Sequence, residues 1–415
     1  MSSFPIDLNH HLAKLTSYTD RISKSCKRDS VIKKSLFRLA DFCSRAVYYV
    51  YRNHRYLTFA KLANMAIANI ECKLKREKLI SRPYQLKIES TNICNTNCQL
   101  CPTGQGLKGR GKGVMKYNKY TELVDRLKWH TLDLDLSMWG DPLIVPDIFK
   151  MIRYAHDSGI WTYISSNLHA FKIEPRNGKS KDQATELIES GLELLTCSLH
   201  GASQETYSQY QPGKDFHGTV EKIKHIIKTR DRMGSRTPEV QLNFVVTKYN
   251  EHEVEEFREL AVDLGCNAVI NNASYNVRFL NKDTKLQPLG LAEDLLKKKT
   301  KDHLKKWMPT DNKYVIKPYL EMSKTGILKG TDYNGKKGFP CTWPWLSCVI
   351  NWDGEVSLCC GSFDSKEDMG NVFTNHFSEI WNNKAYKLSR RSFTKKLNES
   401  ESCQTACSTC PGYML

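Results

Sequence analysis

Cys94, Cys98 and Cys101 fall in the run TNICNTNCQLCP, a CxxxCxxC spacing directly after a stretch that reads as a β-strand. Three thiolates on one short loop can converge on a single metal cluster and leave one iron without a protein ligand. A fourth cysteine nearby would close such a site, and none follows until Cys197. Structural zinc usually takes paired CxxC or Cys/His sets and closes all four positions, so the spacing points to an iron–sulfur cluster with an open iron. The remaining clusters of cysteine lie at 341–360 and 403–410. Fifteen cysteines, an odd number, argue against a complete disulfide framework and for metal ligation in a reducing cytoplasm.

The elements that must hold these residues follow from periodicity. Strand-like runs occupy 84–90, 132–138, 161–167, 192–199, 240–247 and 267–272, with helical stretches near 118–129, 147–158, 183–190, 218–230 and 251–264. Gly159, Gly191 and Gly265 stand where a helix should end before the next strand. Six βα units in series predict a parallel sheet with right-handed crossovers, curved toward an open barrel. The fold class is therefore α/β: a partial (β/α)6 TIM-like barrel with an N-terminal helical segment and a small C-terminal iron–sulfur module. The expected boundaries are 1–82 for the basic helical extension, 83–275 for the barrel, 276–340 for a bridging segment and 341–415 for the module. Active sites of such barrels lie at the C-terminal ends of the strands, which puts the cysteine loop at the mouth. The bridging segment shows weak helical signals at 290–307 and 315–328. The module shows short strands (WLSCVIN, EVSLCC), an Asp353-Gly354 turn and a helix near 376–390.

With 415 residues, 40% apolar and 26% charged, the chain reads as a soluble globular protein without a secretory or membrane-spanning segment. The net charge of +17 is uneven: residues 1–82 hold 17 Lys/Arg against 6 Asp/Glu. A second basic stretch at 282–337 includes Lys297, Lys298, Lys299, Lys301, Lys305 and Lys306. Near the N-terminus Leu36, Leu39, Phe42, Ala46 and Tyr49, then Leu57, Ala60, Leu62, Met65, Ile67 and Ile70, recur at helical spacing. Such basic amphipathic helices either pack an apolar stripe on the neighbouring domain or lie on an anionic surface. No RNA-binding motif accompanies the charge, so nucleic acid is not the expected partner. P-loop, GxSxG and HExxH patterns are absent as well.

A CxxxCxxC loop after the first strand of six βα units resembles the radical SAM superfamily. The resemblance implies that Cys94, Cys98 and Cys101 hold a [4Fe-4S] cluster whose fourth iron binds S-adenosylmethionine (SAM). Reductive cleavage would then give a 5′-deoxyadenosyl radical that abstracts a substrate hydrogen. Trp139-Gly140-Asp141-Pro142 resembles the family's GEP-type segment, with Asp for Glu, and implies contact with the SAM amino group. Ser165-Ser166-Asn167 resembles the TNG-type segment, with Leu168 where Gly is usual, and Ser198-Leu199-His200-Gly201 resembles the S-x-D-G turn. Gln211 stands where an Arg is common. Asn243, Val245 and Leu100 are the expected adenosine contacts.

Residues 341–415, with C-x12-G-x4-C at 341–359, GNVFTNHFSEIW and a Cys407–Cys410 CxxC, resemble the SPASM/twitch extension. That resemblance implies an auxiliary [4Fe-4S] cluster on Cys341, Cys359, Cys407 and Cys410, with Cys360 and Cys403 as rival ligands. Cys348 reads as a strand residue, and Cys26, Cys43, Cys72, Cys197 and Cys266 as packing residues. His200, Tyr210, Asp215 and His217 are weak candidates for proton transfer. The expected function is a two-electron oxidation or bond formation on a peptide or protein side chain, with a flavodoxin- or ferredoxin-like electron donor. The alternatives are a carbohydrate, aminocyclitol or lipid-linked substrate met at a membrane through residues 1–80, and a non-catalytic iron–sulfur protein.

Overall fold

The computed structural model describes residues 52–107, 109–175, 181–275, 292–326, 341–394, 397, 401 and 406–410. The chain forms two compact units, Met1–Thr58 and Phe59–Leu415. Of the first, only residues 52–58 are described: helical backbone at 52–53 and a short 3-10 turn, His54–Tyr56. The apolar positions expected from Leu36 to Tyr49 lie outside the described residues, as do Cys26, Cys43 and Cys403.

The second unit opens with α1 (Phe59–Lys73) and then alternates strand and helix. The strands are β1 (Gln85–Ile88), β2 (Asp133–Asp135), β3 (Trp161–Ser166), β4 (Leu194–Ser198), β5 (Glu239–Val246) and β6 (Asn267–Asn272). Between them run α2 (Tyr117–Leu127), α3 (Ile148–Asp157), α4 (Gln183–Glu189), α5 (Gln204–Tyr210), α6 (Phe216–Arg232) and α7 (Val254–Asp263). After β6 come α8 (Ala292–Trp307) and α9 (Lys317–Thr325), then α10 (Trp343–Leu346), β7 (Ser347–Ile350), β8 (Glu355–Ser357), β9 (Asp368–Asn371), α11 (Phe377–Trp381) and α12 (Lys384–Arg391).

The alternation of β5 shows how the sequence fixes the layers. Val240, Leu242, Phe244 and Val246 are buried under the helices, while Gln241, Asn243 and Val245 take the other face. The helices answer in kind: α6 turns Val220, Ile223, Ile226 and Ile227 onto the sheet. Each such side chain contributes about 1.5–3 kcal/mol on burial. Asp215 starts α6 by accepting from Gly218 N at 3.0 Å, and Arg230 and Arg232 close its last turn. Gly159, Gly191 and Gly265 take the expected left-handed backbone, with φ of 73°, 76° and 66°.

One nine-stranded sheet runs in the order β6-β5-β4-β3-β2-β1-β7-β8-β9. All pairs from β6 to β7 are parallel; β7–β8 and β8–β9 are antiparallel. The C-terminal module is thus continuous with the barrel: β7 pairs with β1 from Gln85↔Ser347 to Ile88↔Ile350. All four residues of β7 are buried, which is how a strand covered on both faces reads. The single helix expected near 376–390 is two. Asn382 exchanges hydrogen bonds with the Leu79 backbone, and Asn383 caps α12 by accepting from Tyr386 N at 3.0 Å.

Helix α1 belongs to the barrel unit, ahead of the boundary expected at 82, and crosses the end where the strands begin. Its packing reverses the expectation that its apolar stripe meets the next domain: the buried residues are Lys61, Ala68, Glu71 and Cys72. Lys61 Nζ donates to Gly159 O at 2.5 Å, Asn64 Nδ2 to Arg82 O at 2.9 Å, and Glu71 Oε1 accepts from Ile80 N at 2.8 Å. The barrel floor is itself polar there, with Asp133 close enough to act on the Lys61 charge, so a polar helix face satisfies it better than an apolar one.

Candidate active site

A cavity of about 380 Å³ opens at the ends of β1 to β4, within the ~300–1,000 Å³ range of small-molecule sites. Cys94, Cys98 and Cys101 line one end. Thr96 sets their spacing, its hydroxyl 3.1 Å from Cys94 Sγ and accepting from Cys98 Sγ at 3.4 Å. Asn167 Nδ2 donates to Cys94 Sγ at 3.6 Å. Burial pushes the Cys98 thiol up to about 12 and raises Cys101 as well. Among the described residues lining the cavity, Lys87 is the sole Lys or Arg, and it lies deeper in the barrel. The positive charge that would draw these thiols to thiolates is therefore a metal's, as the donor set itself implies. Among the described residues no three His, Cys, Asp or Glu side chains are grouped for one metal ion. A spread triplet fits the edge of a multi-iron cluster instead.

Trp139, Gly140 and Asp141 form the adjoining wall. Gly140 is required by close approach: a Cβ there would run into the Thr91 and Ile93 carbonyl oxygens. Asp141 N donates to Ile93 O at 3.0 Å, tying this segment to the cysteine loop. The Asp141 carboxylate accepts from Ser166 Oγ at 2.9 Å, Asn167 N at 2.8 Å and Leu143 N at 2.9 Å. Asp for Glu thus fastens the ends of β2 and β3 together. Burial raises its pKa, and those three donors oppose the rise. Leu168, where Gly is usual, keeps the left-handed backbone with φ of 61°, a strain of about 1–2 kcal/mol held by its full burial.

Ser166, Asn167 and Ser198 line the cavity with them, as do His200 and Tyr210. His200 Nδ1 accepts from Val245 N at 3.2 Å, and burial pulls its pKa down to about 4, so the imidazole is neutral. Tyr210 packs edge-on against it, ring centroids 4.5 Å apart, and burial raises the phenol well above its usual range. Gln211 is buried with its side chain against the Cys98 thiol and the His169 ring, and its Oε1 makes no well-formed hydrogen bond. An unsatisfied acceptor on a cavity wall is what the donor of a bound ligand completes. The residues present therefore fit a nucleoside-sized ligand bound beside a cluster.

Other expected residues lie elsewhere. Leu100 belongs to an apolar cluster with Tyr275, Leu304, Trp307 and Tyr319, and Val245 packs against the same cluster. Pro142 opens a 3-10 turn capped by Asp141. Asn243 Oδ1 accepts from Asn271 Nδ2 at 2.5 Å. Asp215 caps α6 and His217 is exposed, neither on the cavity wall. Among the lining groups that the sequence did not place here, two matter most. Lys87 is ion-paired with Asp135, whose other oxygen accepts from Ser137 N at 2.9 Å. Burial alone would lower the Lys87 pKa, but Asp135 holds it above the usual value. The second is Cys360, contributed to the same cavity by the C-terminal module. The clue to Lys87 was a charged pair at adjoining strand positions, Lys87↔Asp135, facing into a barrel.

Behind Cys360 lies the second cysteine group. Burial pushes Cys359 well up, with Cys360, Cys410 and Cys407 adding to the rise, and pushes Cys341 up to about 11, with Cys410 and Cys360 adding. Five thiols thus neighbour one another, and Cys348 stays buried in β7. The two groups are joined by the loop after Cys101. Arg110 bonds Asp353 at 3.0 Å and also Asp368, while Trp139 Nε1 donates to Ser362 O at 3.1 Å.

Residues 88–261 match the model of the radical SAM superfamily, and residues 341–411 match that of an iron–sulfur cluster-binding domain, SPASM. The chain is similar to the tungsten-containing aldehyde ferredoxin oxidoreductase cofactor-modifying protein of Pyrococcus furiosus, 23% identical over 72% of this chain and 81% of that one. It is also similar to the AdoMet-dependent heme synthase of Methanosarcina barkeri, 23% identical over 80% of this chain and 89% of that one. The fold is shared with Streptococcus suis SuiB bound to its precursor peptide SuiA, at a TM-score of 0.53 and 14% identity over 82% of this chain and 73% of that one. With both domains matched in order along a barrel of the expected topology, this chain belongs to the radical SAM superfamily and carries a SPASM iron–sulfur domain.

Proposed function

We propose that this radical SAM enzyme carries out a two-electron oxidation or bond formation on a peptide or protein side chain placed between its two clusters. The observation that carries the reading is that one cavity is lined by Cys94, Cys98 and Cys101 at one end and by Cys360 of the SPASM domain deeper in the barrel. Bound at a reduced [4Fe-4S] cluster, SAM would supply radical chemistry that removes one hydrogen atom from the substrate, the second hydrogen leaving as a proton to solvent and its electron to the auxiliary cluster. In this reading Cys94, Cys98 and Cys101 hold that cluster. Trp139, Gly140, Asp141, Ser166, Asn167 and Ser198 shape the SAM site, and Gln211 Oε1 accepts a hydrogen bond from the ligand. Cys341, Cys359, Cys407 and Cys410 hold the auxiliary [4Fe-4S] cluster, placed to take the second electron, with a flavodoxin- or ferredoxin-like protein as external donor. Lys87, held by Asp135, presents N–H donors to the substrate, and neutral His200 and Tyr210 exclude water.

SuiB with its bound precursor peptide supports a peptide substrate, since the two chains share a fold. The polar wall of Lys87, Asp135, Ser137, Ser165 and Ser198 favours a second reading, a small hydroxylated substrate such as a carbohydrate or aminocyclitol. The test is anaerobic incubation of the reconstituted enzyme with SAM, dithionite and the peptides encoded beside its gene. A peptide two hydrogens lighter, formed with equimolar 5′-deoxyadenosine, is expected. 5′-Deoxyadenosine without any change in peptide mass would reject the peptide, and no 5′-deoxyadenosine at all would reject the chemistry.

A further inference from the structure

Because α1 lays its polar face on the barrel floor, its apolar face is the exposed one. Phe59, Leu62, Ile67 and Ile70 lie on that face, with Leu74 and Ile80 just beyond, and all are exposed, Phe59 to 88% and Ile80 to 82%. A helix of a soluble domain normally does the opposite. The rest of the floor repeats the pattern. Trp129, Met233 and Val262 stand at the ends of α2, α6 and α7, where those helices return to the floor. Of the ten large apolar side chains exposed among the described residues, only Ile173 lies on the mouth side, so the exposure is segregated rather than scattered.

Charge marks the same end. Lys73 at the end of α1 and Arg76 and Lys78 just past it are exposed, and Glu77 between them is paired with Arg391; farther round the floor, exposed Arg232 and Arg236 are matched by exposed Glu239 and Asp263. No helix among the described residues is long and apolar enough to cross a membrane. An exposed apolar stripe with Lys73, Arg76 and Lys78 clustered at its end is instead the pattern of a helix lying in the plane of an anionic bilayer surface. We propose that the barrel docks on an anionic membrane through the outer face of α1, floor down and mouth up. Side chains of such a helix reach ~5–10 Å into the headgroup region. The mouth lies a strand's length away, roughly 15–20 Å for about five residues. Docking therefore leaves the cavity on the aqueous side, where a peptide or a small polar substrate reaches it and a group embedded in lipid does not.

The experiment is flotation of the reconstituted full chain with vesicles of phosphatidylcholine, with and without phosphatidylglycerol. The wild type should float with phosphatidylglycerol vesicles, less so as salt is raised. Ile70→Glu should lower the bound fraction about tenfold or more, and Lys78→Glu should weaken binding on anionic vesicles alone. Iron content and SAM binding, set at the other end of the barrel, should be unchanged in both; if Ile70→Glu loses iron, Lys78→Glu carries the test. A wild type that stays with the unbound protein, or variants that float as well as it does, would overturn the proposal. So would light scattering that shows Ile70→Glu splitting a dimer with no vesicle binding in the wild type, which would give the stripe to a second copy of the chain.

Discussion

The two cysteine groups are assembled in opposite ways. Cys94, Cys98 and Cys101 share one loop, spaced by the Thr96 hydroxyl and fixed by a Cys101 N to Cys98 O bond of 3.1 Å. The second group gathers Cys341 from before α10, Cys359 and Cys360 from after β8, and Cys407 and Cys410 from the last described turn. Those segments meet only because β7 pairs with β1 and the hairpin folds back on it. A loop that builds its own site is robust to what happens elsewhere; a site built by tertiary pairing depends on the sheet. The two should therefore fail differently.

The largest contrast comes from the cysteines themselves. Cys94→Ala, Cys98→Ala or Cys101→Ala should abolish 5′-deoxyadenosine formation. Cys359→Ala should leave it measurable while lowering reconstituted iron from about eight to about four per chain. Chromatography and an iron assay read both. If Cys359→Ala also silences SAM cleavage, the groups are not independent and the contrast is broken.

A smaller effect sits at their junction. Arg110 is nearly buried between Asp353 and Asp368, and burial pushes Asp368 up to about 6 against the pull of that guanidinium. Arg110→Met leaves the Asp368 carboxylate buried without its partner, and breaking such a pair costs ~3–5 kcal/mol. Denaturant unfolding should show that loss, and auxiliary iron should fall before the triplet's iron does. Equal loss from both groups would mean the loop supports them alike.

How much of this was legible follows the same division. The triplet, the six strands and the glycine caps are local patterns, and periodicity and spacing carry them. The wall segments at 139–141 and 165–167 were also readable, because strand ends sit at fixed places in a barrel. Leu100 and Val245 were expected beside the adenosine, but α8 and α9, whose signals were weak, form an apolar cluster that buries Leu100 and packs against the half-buried Val245. Helix α5 went unforeseen, since two turns capped by Ser203 leave little periodicity to detect. For α1 the stripe was visible and its direction was not. Amphipathicity says that one face differs from the other, while only the polar floor at Gly159, Arg82 and Asp133 decides which face turns in.

Glu89 gives the finest test, because it lies at the seam between the two groups. Its Oε1 accepts from Trp139 N at 3.3 Å, and its buried Oε2 makes no well-formed hydrogen bond, though the Trp352 N–H lies near the carboxylate. Burial pushes its pKa from 4.5 to about 7, only partly offset by the Trp139 N–H and Arg110. Below pH 4.5 the folded and unfolded chains both carry the proton. Between 4.5 and 7 the folded chain keeps a proton that the unfolded chain has released, so stability falls as pH rises, and above 7 the loss is complete. That loss is at most about 3 kcal/mol. Glu89→Gln removes the ionisation while keeping an acceptor for Trp139 N. Its advantage over the wild type should be near zero at pH 4 and largest at pH 8, read as the shift in denaturant midpoint under anaerobic conditions. Parallel pH profiles for the two proteins would show that Glu89 ionises freely, and that the seam is wetter than its burial implies.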